Sequence, residues 1–217
     1  MTMKKYSAII FDVDGTLLDT SEGIIKSVEY TVDKLKLRPL SEEEKKSFIG
    51  PKIFDSLKKV YPELSESEVK NAAKVFRDRY STVDLLKAKP YDGVIELLKK
   101  LKDNNYSVGI ATYKREDYAR KIVKFFGISD YCDCIEGSDF DGKLTKQDII
   151  NICIDKLNAD KSKILMVGDT DNDKIGAENA GVDFLAVTFG FGYKTIDKLE
   201  CLTANSCREI EEIIFEG

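Results

Sequence analysis

The chain has 217 residues, of which 42% are hydrophobic and 34% are charged, and its formal net charge at pH 7 is −5. These values are typical of a globular protein with one domain, or one domain carrying a smaller insert. The acidic balance argues against a general nucleic-acid binder, which usually has a basic domain. The sequence contains no histidine, which excludes histidine-based nucleophile triads and HExxH zinc sites, so any chemistry must use carboxylates, lysine, hydroxyls, thiols or a metal held by oxygen.

The chain has five cysteines and shows neither the apolar region of a signal peptide nor a run of the roughly 20 apolar residues that a membrane span needs. We therefore expect reduced thiols, a cytoplasmic location and no membrane partner. Cys132 and Cys134 are separated by one residue. Alternation along a strand predicts that both lie on one face of a buried strand.

Short apolar runs, taken in chain order, alternate with helical patterns. The runs are nearly continuous in apolarity, as strands covered on both faces are, and they lie at residues 8–11, 108–111, 132–135, 164–167 and 184–187. Between the later runs, apolar side chains repeat at helical spacing in residues 94–101, 119–126 and 149–157. Strands that alternate with helices in this way predict an α/β fold, a Rossmann-like doubly wound parallel sheet.

The stretch after the first predicted strand interrupts this alternation. It is charged, and its apolar side chains repeat at helical spacing in residues 24–35 and 69–80. We expect a small all-helical cap domain at residues 18–86, inserted into an α/β catalytic core formed by residues 1–17 and 87–217. The two connections would then act as hinges.

Polar groups stand directly after three of the predicted strands. Asp12, Asp14 and Gly15 follow the first, Thr112 follows the second, and an acidic segment containing Asp169 follows the fourth. Because the carboxyl ends of parallel strands form the binding crevice of an open sheet, we expect these groups to converge there.

The clustered carboxylates predict a metal site. Asp12 and Asp14 would repel each other and Asp169 strongly unless a cation lay among them, and an all-oxygen ligand set suits Mg²⁺. An Asx turn chosen for turn chemistry is the alternative explanation of the first pair. A second acidic cluster after another strand favours the metal site.

Taken together, these segments resemble the haloacid dehalogenase superfamily, in its phosphoglycolate phosphatase-like branch with a helical cap. Residues 9–20 resemble the first motif, and Ile110-Ala111-Thr112 resembles the second. Lys146 with the following Asp148-Ile149-Ile150 resembles the third, and residues 167–181 resemble the fourth. Within the insert, Phe48-Ile49-Gly50-Pro51 resembles the cap of that branch.

The resemblance implies an enzyme, a Mg²⁺-dependent phosphatase that hydrolyses small-molecule phosphate monoesters, with phosphoglycolate as one candidate. It implies that Asp12 is the nucleophile that forms an aspartyl-phosphate, and that Asp14 is the general acid and then the general base. Mg²⁺ would be held by the Asp12 and Asp169 carboxylates and by the Asp14 carbonyl. The remaining implied catalytic groups are Thr112 for the phosphoryl oxygens, Lys146 for the developing charge, and Asp173 to orient Lys146 or a metal-bound water.

The resemblance also implies substrate-binding residues in both predicted domains. They are Gly15, Tyr113 and Lys114 in the core, and Glu22, Gly50, Lys52 and Arg79 in the cap. Tyr113 departs from the small polar residue usual in the branch, and its ring would reshape the mouth of the pocket. Lys143 is an alternative to Lys146, which we prefer because it directly opens a helical pattern.

Two alternatives to a phosphatase remain open from the sequence. One is a sugar-phosphate mutase of the same superfamily, which would convert a hexose 1-phosphate to the 6-phosphate. The other is a non-catalytic phosphate-binding regulatory protein, which would turn over no phosphate ester. The sequence is compatible with a monomer or a dimer.

Overall fold

The computed structural model describes residues 5–140, 142–193 and 201–216. The chain divides into two compact units, one that joins Met1–Asp19 to Pro90–Gly217 and one that spans Thr20–Lys89. The strands are β1 Ala8–Phe11, β2 Leu18–Asp19, β3 Lys89–Pro90, β4 Ser107–Arg115, β5 Cys134–Ser138, β6 Ile164–Gly168, β7 Asp183–Val187 and β8 Leu202–Ala204. The helices are α1 Ser21–Leu35, α2 Glu42–Lys46, α3 Ile53–Val60, α4 Glu66–Arg79, α5 Val94–Asp103, α6 Glu116–Phe125, α7 Lys146–Leu157, α8 Asp171–Ala180 and α9 Cys207–Glu216.

The first unit is built on a six-stranded sheet in the order β5-β4-β1-β6-β7-β8. Every adjacent pair in it is parallel, which confirms the predicted Rossmann-like α/β fold. The central strand β1 is buried along its whole length, because helices cover a parallel sheet on both faces.

The register of the central strands fixes where the site lies. Phe11, at the end of β1, pairs with Ile110 of β4 on one side and with Val167 of β6 on the other. The residues that follow Phe11, Ile110 and Val167 therefore lie side by side towards the carboxyl edge of the sheet, although β4 itself continues beyond this level.

A hydrophobic core cluster packs α7 and α8 against the sheet. Apolar burial at about 25 cal/mol per Å² is the main favourable contribution to such packing. Gly109 of β4 allows the close approach of α7, because a Cβ atom there would lie 2.4 Å from Cys153 Sγ. The cluster includes Ala8, Ile10, Ala111, Ile149, Ile150, Cys153, Ile164, Met166, Ala177 and Phe184.

The prediction that Cys132 and Cys134 share a strand face was wrong. The strand begins at Cys134, and Cys132 follows a 3₁₀ turn at Ser129–Tyr131. Asp133, between the two cysteines, binds Val108 with both side chain and backbone: its Oδ2 accepts the Val108 amide proton at 2.8 Å, and its own amide donates to the Val108 carbonyl at 2.7 Å. The first strand pair of β4 with β5 is therefore Gly109 with Cys134. All five cysteines are free.

Strand β4, which corresponds to the second predicted run at residues 108–111, is longer than predicted. β4 continues to Arg115, which pairs with Ser138 after a shift of register. Thr112 therefore lies within the strand rather than after it, and the polar residues Tyr113 and Lys114 are strand residues too.

The second unit contains α1 to α4, followed by a π-helical turn at Tyr80–Asp84. Ser41 and Ser65 begin α2 and α4 with reciprocal capping boxes, which satisfy amide groups that a helix start leaves without partners. Asp84 is fully buried and accepts hydrogen bonds from Ser27 Oγ and Arg79 Nε.

Among the helices of the described ranges, none is long and apolar enough to cross a membrane.

Candidate active site

Four charged side chains meet at the carboxyl edge of the sheet, and all four are almost completely buried. Asp12 follows β1, Asp169 follows β6, Asp173 lies in the first turn of α8, and Lys146 opens α7. Their exposed fractions are 6% for Asp12, 0% for Asp169, 2% for Asp173 and 3% for Lys146. Buried charges are stable only when they are paired or hold a metal, so this cluster is the candidate functional site.

Lys146 joins two of the carboxylates. Its Nζ atom lies 2.6 Å from Asp12 Oδ1 and 2.6 Å from Asp173 Oδ1. Thr145 begins α7 with a capping box, which fixes the helix start that carries the lysine. Gly176 of α8 leaves room for the side chain, because a Cβ atom there would lie 2.7 Å from Lys146 Cγ.

Asp173 is held from its other oxygen. Its Oδ2 accepts hydrogen bonds from the Thr170 amide at 3.1 Å and the Thr170 hydroxyl at 2.7 Å. Gly168 faces it, and a Cβ atom at that position would lie 2.4 Å from Asp173 Cβ. The carboxylate is therefore fixed between the start of α8 and Lys146.

The two carboxylate oxygens of Asp169 differ in their hydrogen bonding. Its Oδ2 accepts the Phe191 amide proton at 2.6 Å and the Gly192 amide proton at 3.2 Å. Its Oδ1 is buried and has no hydrogen-bond partner among the described residues. A buried carboxylate oxygen without a partner is costly, and a cation would remove that cost.

The donor set fits a hard divalent cation. One carboxylate oxygen from each of Asp12, Asp169 and Asp173 lies within 4.8 Å of the others. Carboxylate and carbonyl oxygens are the ligands that Mg²⁺ prefers. The carboxylate of Asp14 is not in this group and pairs with Lys114, whose Nζ lies 3.0 Å from Asp14 Oδ1.

Burial and mutual repulsion shift the pKa values of the clustered carboxyl groups. Burial, and then the neighbouring carboxylates of Asp173 and Asp14, raise the pKa of Asp12 to about 6, although Lys146 opposes the rise. Burial, Asp12 and Asp173 raise the pKa of Asp169 to about 7. Burial lowers the pKa of Lys146, but attraction to Asp12 and Asp173 outweighs it and the net pKa is raised. Both carboxyls are thus harder to ionise than usual, while the lysine stays charged.

Other predicted core residues lie beside the cluster. Thr112 is 1% exposed, and its hydroxyl oxygen accepts the Lys114 amide proton at 3.2 Å. The Tyr113 hydroxyl accepts the Lys146 amide proton at 3.0 Å. Gly15 has φ +81°, and a Cβ atom there would lie 2.1 Å from Asp169 Oδ2, so both its backbone and its surroundings require glycine.

The two predicted lysines differ in their surroundings. Lys146 is buried against Asp12, whereas Lys143 is an exposed residue before the helix.

The predicted cap residues belong to the second unit. Glu22 lies on α1 and pairs with Lys26, and Lys52 is the residue before α3. Gly50 has φ +99°. Arg79 is engaged within its own unit, since its Nε lies 2.7 Å from Asp84 Oδ2 and its guanidinium stacks over the Tyr30 ring at 4.8 Å.

The sequence analysis missed the segment that binds Asp169. Besides the amides of Phe191 and Gly192, it supplies Gly190, where a Cβ atom would lie 2.3 Å from the Gly15 carbonyl oxygen and 2.5 Å from Asp169 Oδ2. The signal was a pair of glycines separated by one residue after the last apolar run. Such glycines indicate close approach of one backbone to another group.

The family of the chain follows from comparison with known proteins. A family model for haloacid dehalogenase-like hydrolases matches residues 9–187, and the chain belongs to this family. A 5'-nucleotidase of Pseudomonas aeruginosa is 32% identical over 189 residues, which cover 87% of this chain and 85% of that protein. A phosphoglycolate phosphatase of Agrobacterium fabrum is 29% identical and covers 88% of this chain and 84% of its own length.

A solved structure gives the same result. The crystal structure of a predicted phosphatase from Clostridium acetobutylicum has a TM-score of 0.89 and 33% identity, with 98% of this chain and 99% of that chain covered. The predicted superfamily and its phosphoglycolate phosphatase-like branch are confirmed, and the predicted class of phosphoric monoester hydrolase agrees with these relatives.

Proposed function

We propose that the protein is a Mg²⁺-dependent phosphatase that hydrolyses small-molecule phosphate monoesters through an aspartyl-phosphate on Asp12. One arrangement carries the proposal: Lys146 Nζ lies 2.6 Å from Asp12 Oδ1, in a cluster where Asp169 Oδ1 is buried and has no hydrogen-bond partner within the part of the chain that the structure describes. A site of this kind suits phosphoryl transfer, because it places fixed positive charge where a phosphate would approach a carboxylate.

Asp12 is the proposed nucleophile. Its Oδ1 is held by Lys146, so its orientation is fixed and its other oxygen is assigned to the attack on phosphorus. The new oxygen–phosphorus bond forms as the bond to the leaving oxygen breaks. Lys146 stabilises the negative charge on the transferring group, and Asp173 fixes Lys146 from the opposite side.

Asp14 is the proposed proton carrier. It gives a proton to the leaving oxygen and then takes one from the water that attacks phosphorus and releases Asp12. Lys114 fixes the position of this carboxylate. Thr112 and the backbone amides beside it are assigned to the phosphoryl oxygens, whereas the Gly15 amide donates to the Leu18 carbonyl at 2.9 Å and is not one of these donors.

Mg²⁺ would be held by the carboxylates of Asp12 and Asp169 and by the carbonyl of Asp14, and when bound it would supply the charge that lets an anionic phosphate approach a carboxylate. Asp169 is oriented for this task by Phe191 and Gly192.

The physiological substrate is proposed at the level of class. The relatives include a phosphoglycolate phosphatase and a 5'-nucleotidase, so phosphoglycolate and nucleoside monophosphates are the first candidates. We assign recognition of the non-phosphate part of the substrate to the cap unit. The candidate contacts are Glu22, Gly50, Lys52 and Arg79. The free cysteines support a location in a reducing compartment such as the cytoplasm.

The decisive experiment is a screen of phosphate esters with phosphate release as the signal, in Mg²⁺ and in EDTA. We expect turnover that requires Mg²⁺ and is abolished in Asp12→Asn, whose circular dichroism should match the wild type. Retained turnover in that variant would refute the nucleophile. Conversion of a hexose 1-phosphate to the 6-phosphate would indicate a mutase, and no turnover of any ester would indicate a regulatory protein.

A further inference from the structure

The side chain of Tyr113 reaches across from β4 to the first residue of α7. Its hydroxyl oxygen accepts the backbone amide proton of Lys146 at 3.0 Å. The first amides of a helix have no partner within the helix. The Thr145 side chain accepts the Asp148 amide proton, so Tyr113 supplies a second cap from a different element of the fold.

The ring of Tyr113 also lies near the other end of the same lysine. Its centroid is 5.7 Å from Lys146 Nζ, a distance at which an aromatic face attracts a cation. The ring packs against the hydrophobic core cluster beneath α7. One side chain thus contacts the backbone of Lys146, faces its ammonium group and is itself fixed by packing.

We propose that Tyr113 is a positioning residue for Lys146, holding the start of α7 so that the ammonium group stays between Asp12 and Asp173. This role differs from the substrate contact expected for Tyr113 from the sequence, and its kinetic consequence rests on the proposed phosphatase function. The ammonium group makes two contacts of 2.6 Å, so a small displacement of the helix start weakens both. Misplacement of a catalytic group by about 1 Å costs up to about 100-fold in rate.

The test is Tyr113→Phe, which keeps the ring and removes the acceptor. We expect kcat to fall about five- to tenfold with KM changed less than twofold, since Lys146 acts on charge that develops in the transition state. In a Lys146→Met background, the same substitution should have no further effect on the residual rate, because coupled residues are not additive. An equal fall in both backgrounds would overturn the proposal.

Tyr6→Phe is the matched control. The Tyr6 hydroxyl donates to Asp183 Oδ2 at 2.8 Å. Tyr6 precedes β1 and Asp183 begins β7, so this bond lies at the opposite edge of the sheet from the site. Tyr6→Phe also removes one phenol hydrogen bond, but it should leave kcat unchanged both in the wild-type and in the Lys146→Met background.

NMR of the lysine ammonium groups gives a readout that does not depend on turnover. In Tyr113→Phe the Lys146 resonance should shift, while that of Lys156, which pairs with Glu136, should not. In the wild type the Lys146 amide proton should be protected from hydrogen exchange, and free exchange there would refute the contact without any variant. If no ester is hydrolysed, the phosphatase proposal fails, but these spectra still decide the position of Lys146. If wild type turns over and Tyr113→Phe is unchanged in rate and spectrum, only the role of Tyr113 fails.

Discussion

Lys114 Nζ lies 3.0 Å from Asp14 Oδ1, and the two side chains are only 4% and 11% exposed. Removing one partner of a buried pair leaves an uncompensated charge. We therefore expect Lys114→Met to lower the free energy of unfolding by about 3 kcal/mol, measured by urea denaturation. Lys102→Met is the control, because the pair of Lys102 with Asp133 is more exposed and should be worth at most about 1 kcal/mol. Equal losses in the two variants would contradict the assignment of a buried pair.

Asp14→Asn tests the proton carrier through the leaving group. Proton transfer of this kind contributes roughly 10²- to 10⁴-fold. We expect the rate of leaving-group release in the first turnover to fall by about that factor for an alkyl phosphate, and much less for an activated aryl phosphate, whose leaving group needs no proton. The later hydrolysis of the aspartyl-phosphate also uses Asp14 but is common to both substrates, so the first turnover is the step to measure. Rates measured on the two substrate types decide the matter. A similar fall on both would show that Asp14 does not protonate the leaving group.

Gly176→Ala tests the space that α8 leaves for Lys146. Alanine in a helix is ordinarily favoured over glycine by about 1 kcal/mol. Here its Cβ atom would lie 2.7 Å from Lys146 Cγ, so we expect a fall in kcat of about tenfold. Asn179→Ala, at an exposed position of α8, improves helix propensity without that contact and should leave kcat unchanged. Steady-state kinetics of both variants would show whether the contact matters.

The stabilisation of the protein by Mg²⁺ should depend on pH. The pKa values of Asp12, about 6, and Asp169, about 7, lie above the ordinary aspartate value of 3.8. The folded state therefore holds protons more tightly than the unfolded state, and the stability this gives to the metal-free protein is lost as pH rises from about 4 to about 7. Mg²⁺ competes with those protons, so its effect on the melting temperature should be small at pH 5 and large at pH 8.

Asp169→Asn separates this effect from other titrations. At a Mg²⁺ concentration 100 times Kd, binding stabilises a protein by about 2.7 kcal/mol. We expect Mg²⁺ to stabilise the wild type by about this amount at pH 8 and to stabilise the variant little or not at all. In EDTA, the variant should be the more stable of the two proteins. The Mg²⁺-induced rise in melting temperature is measured by differential scanning fluorimetry. A rise of equal size in the wild type and in the variant would contradict the role of Asp169 in holding the metal.

The sheet was predictable because its strands carry near-continuous apolar runs, and the acidic residues that follow them were predictable from their position. The extension of β4 was not, since Tyr113 and Lys114 are polar and interrupt the apolar run. Just before β5 begins at Cys134, the Asp133 side chain accepts the Val108 amide proton, a contact that no periodicity reveals. Strand boundaries depend on such local partners more than on propensity.

The catalytic candidates were predictable in identity but not in their partners. Asp12 and Lys146 are 134 positions apart in the chain, and only the fold brings them together. The binding of Asp169 by the amides of Phe191 and Gly192 uses backbone groups that every residue has, so residue type alone gave no chemical signal. Glycine spacing was the only trace of it.

The glycines that surround Asp169 limit how this enzyme can be redesigned. Any side chain at Gly15, Gly190 or Gly192 would collide with the Asp169 residue, so randomised libraries at these positions should yield mostly inactive clones. Variation at these three positions is therefore closed to any design that keeps Asp169 in its present place.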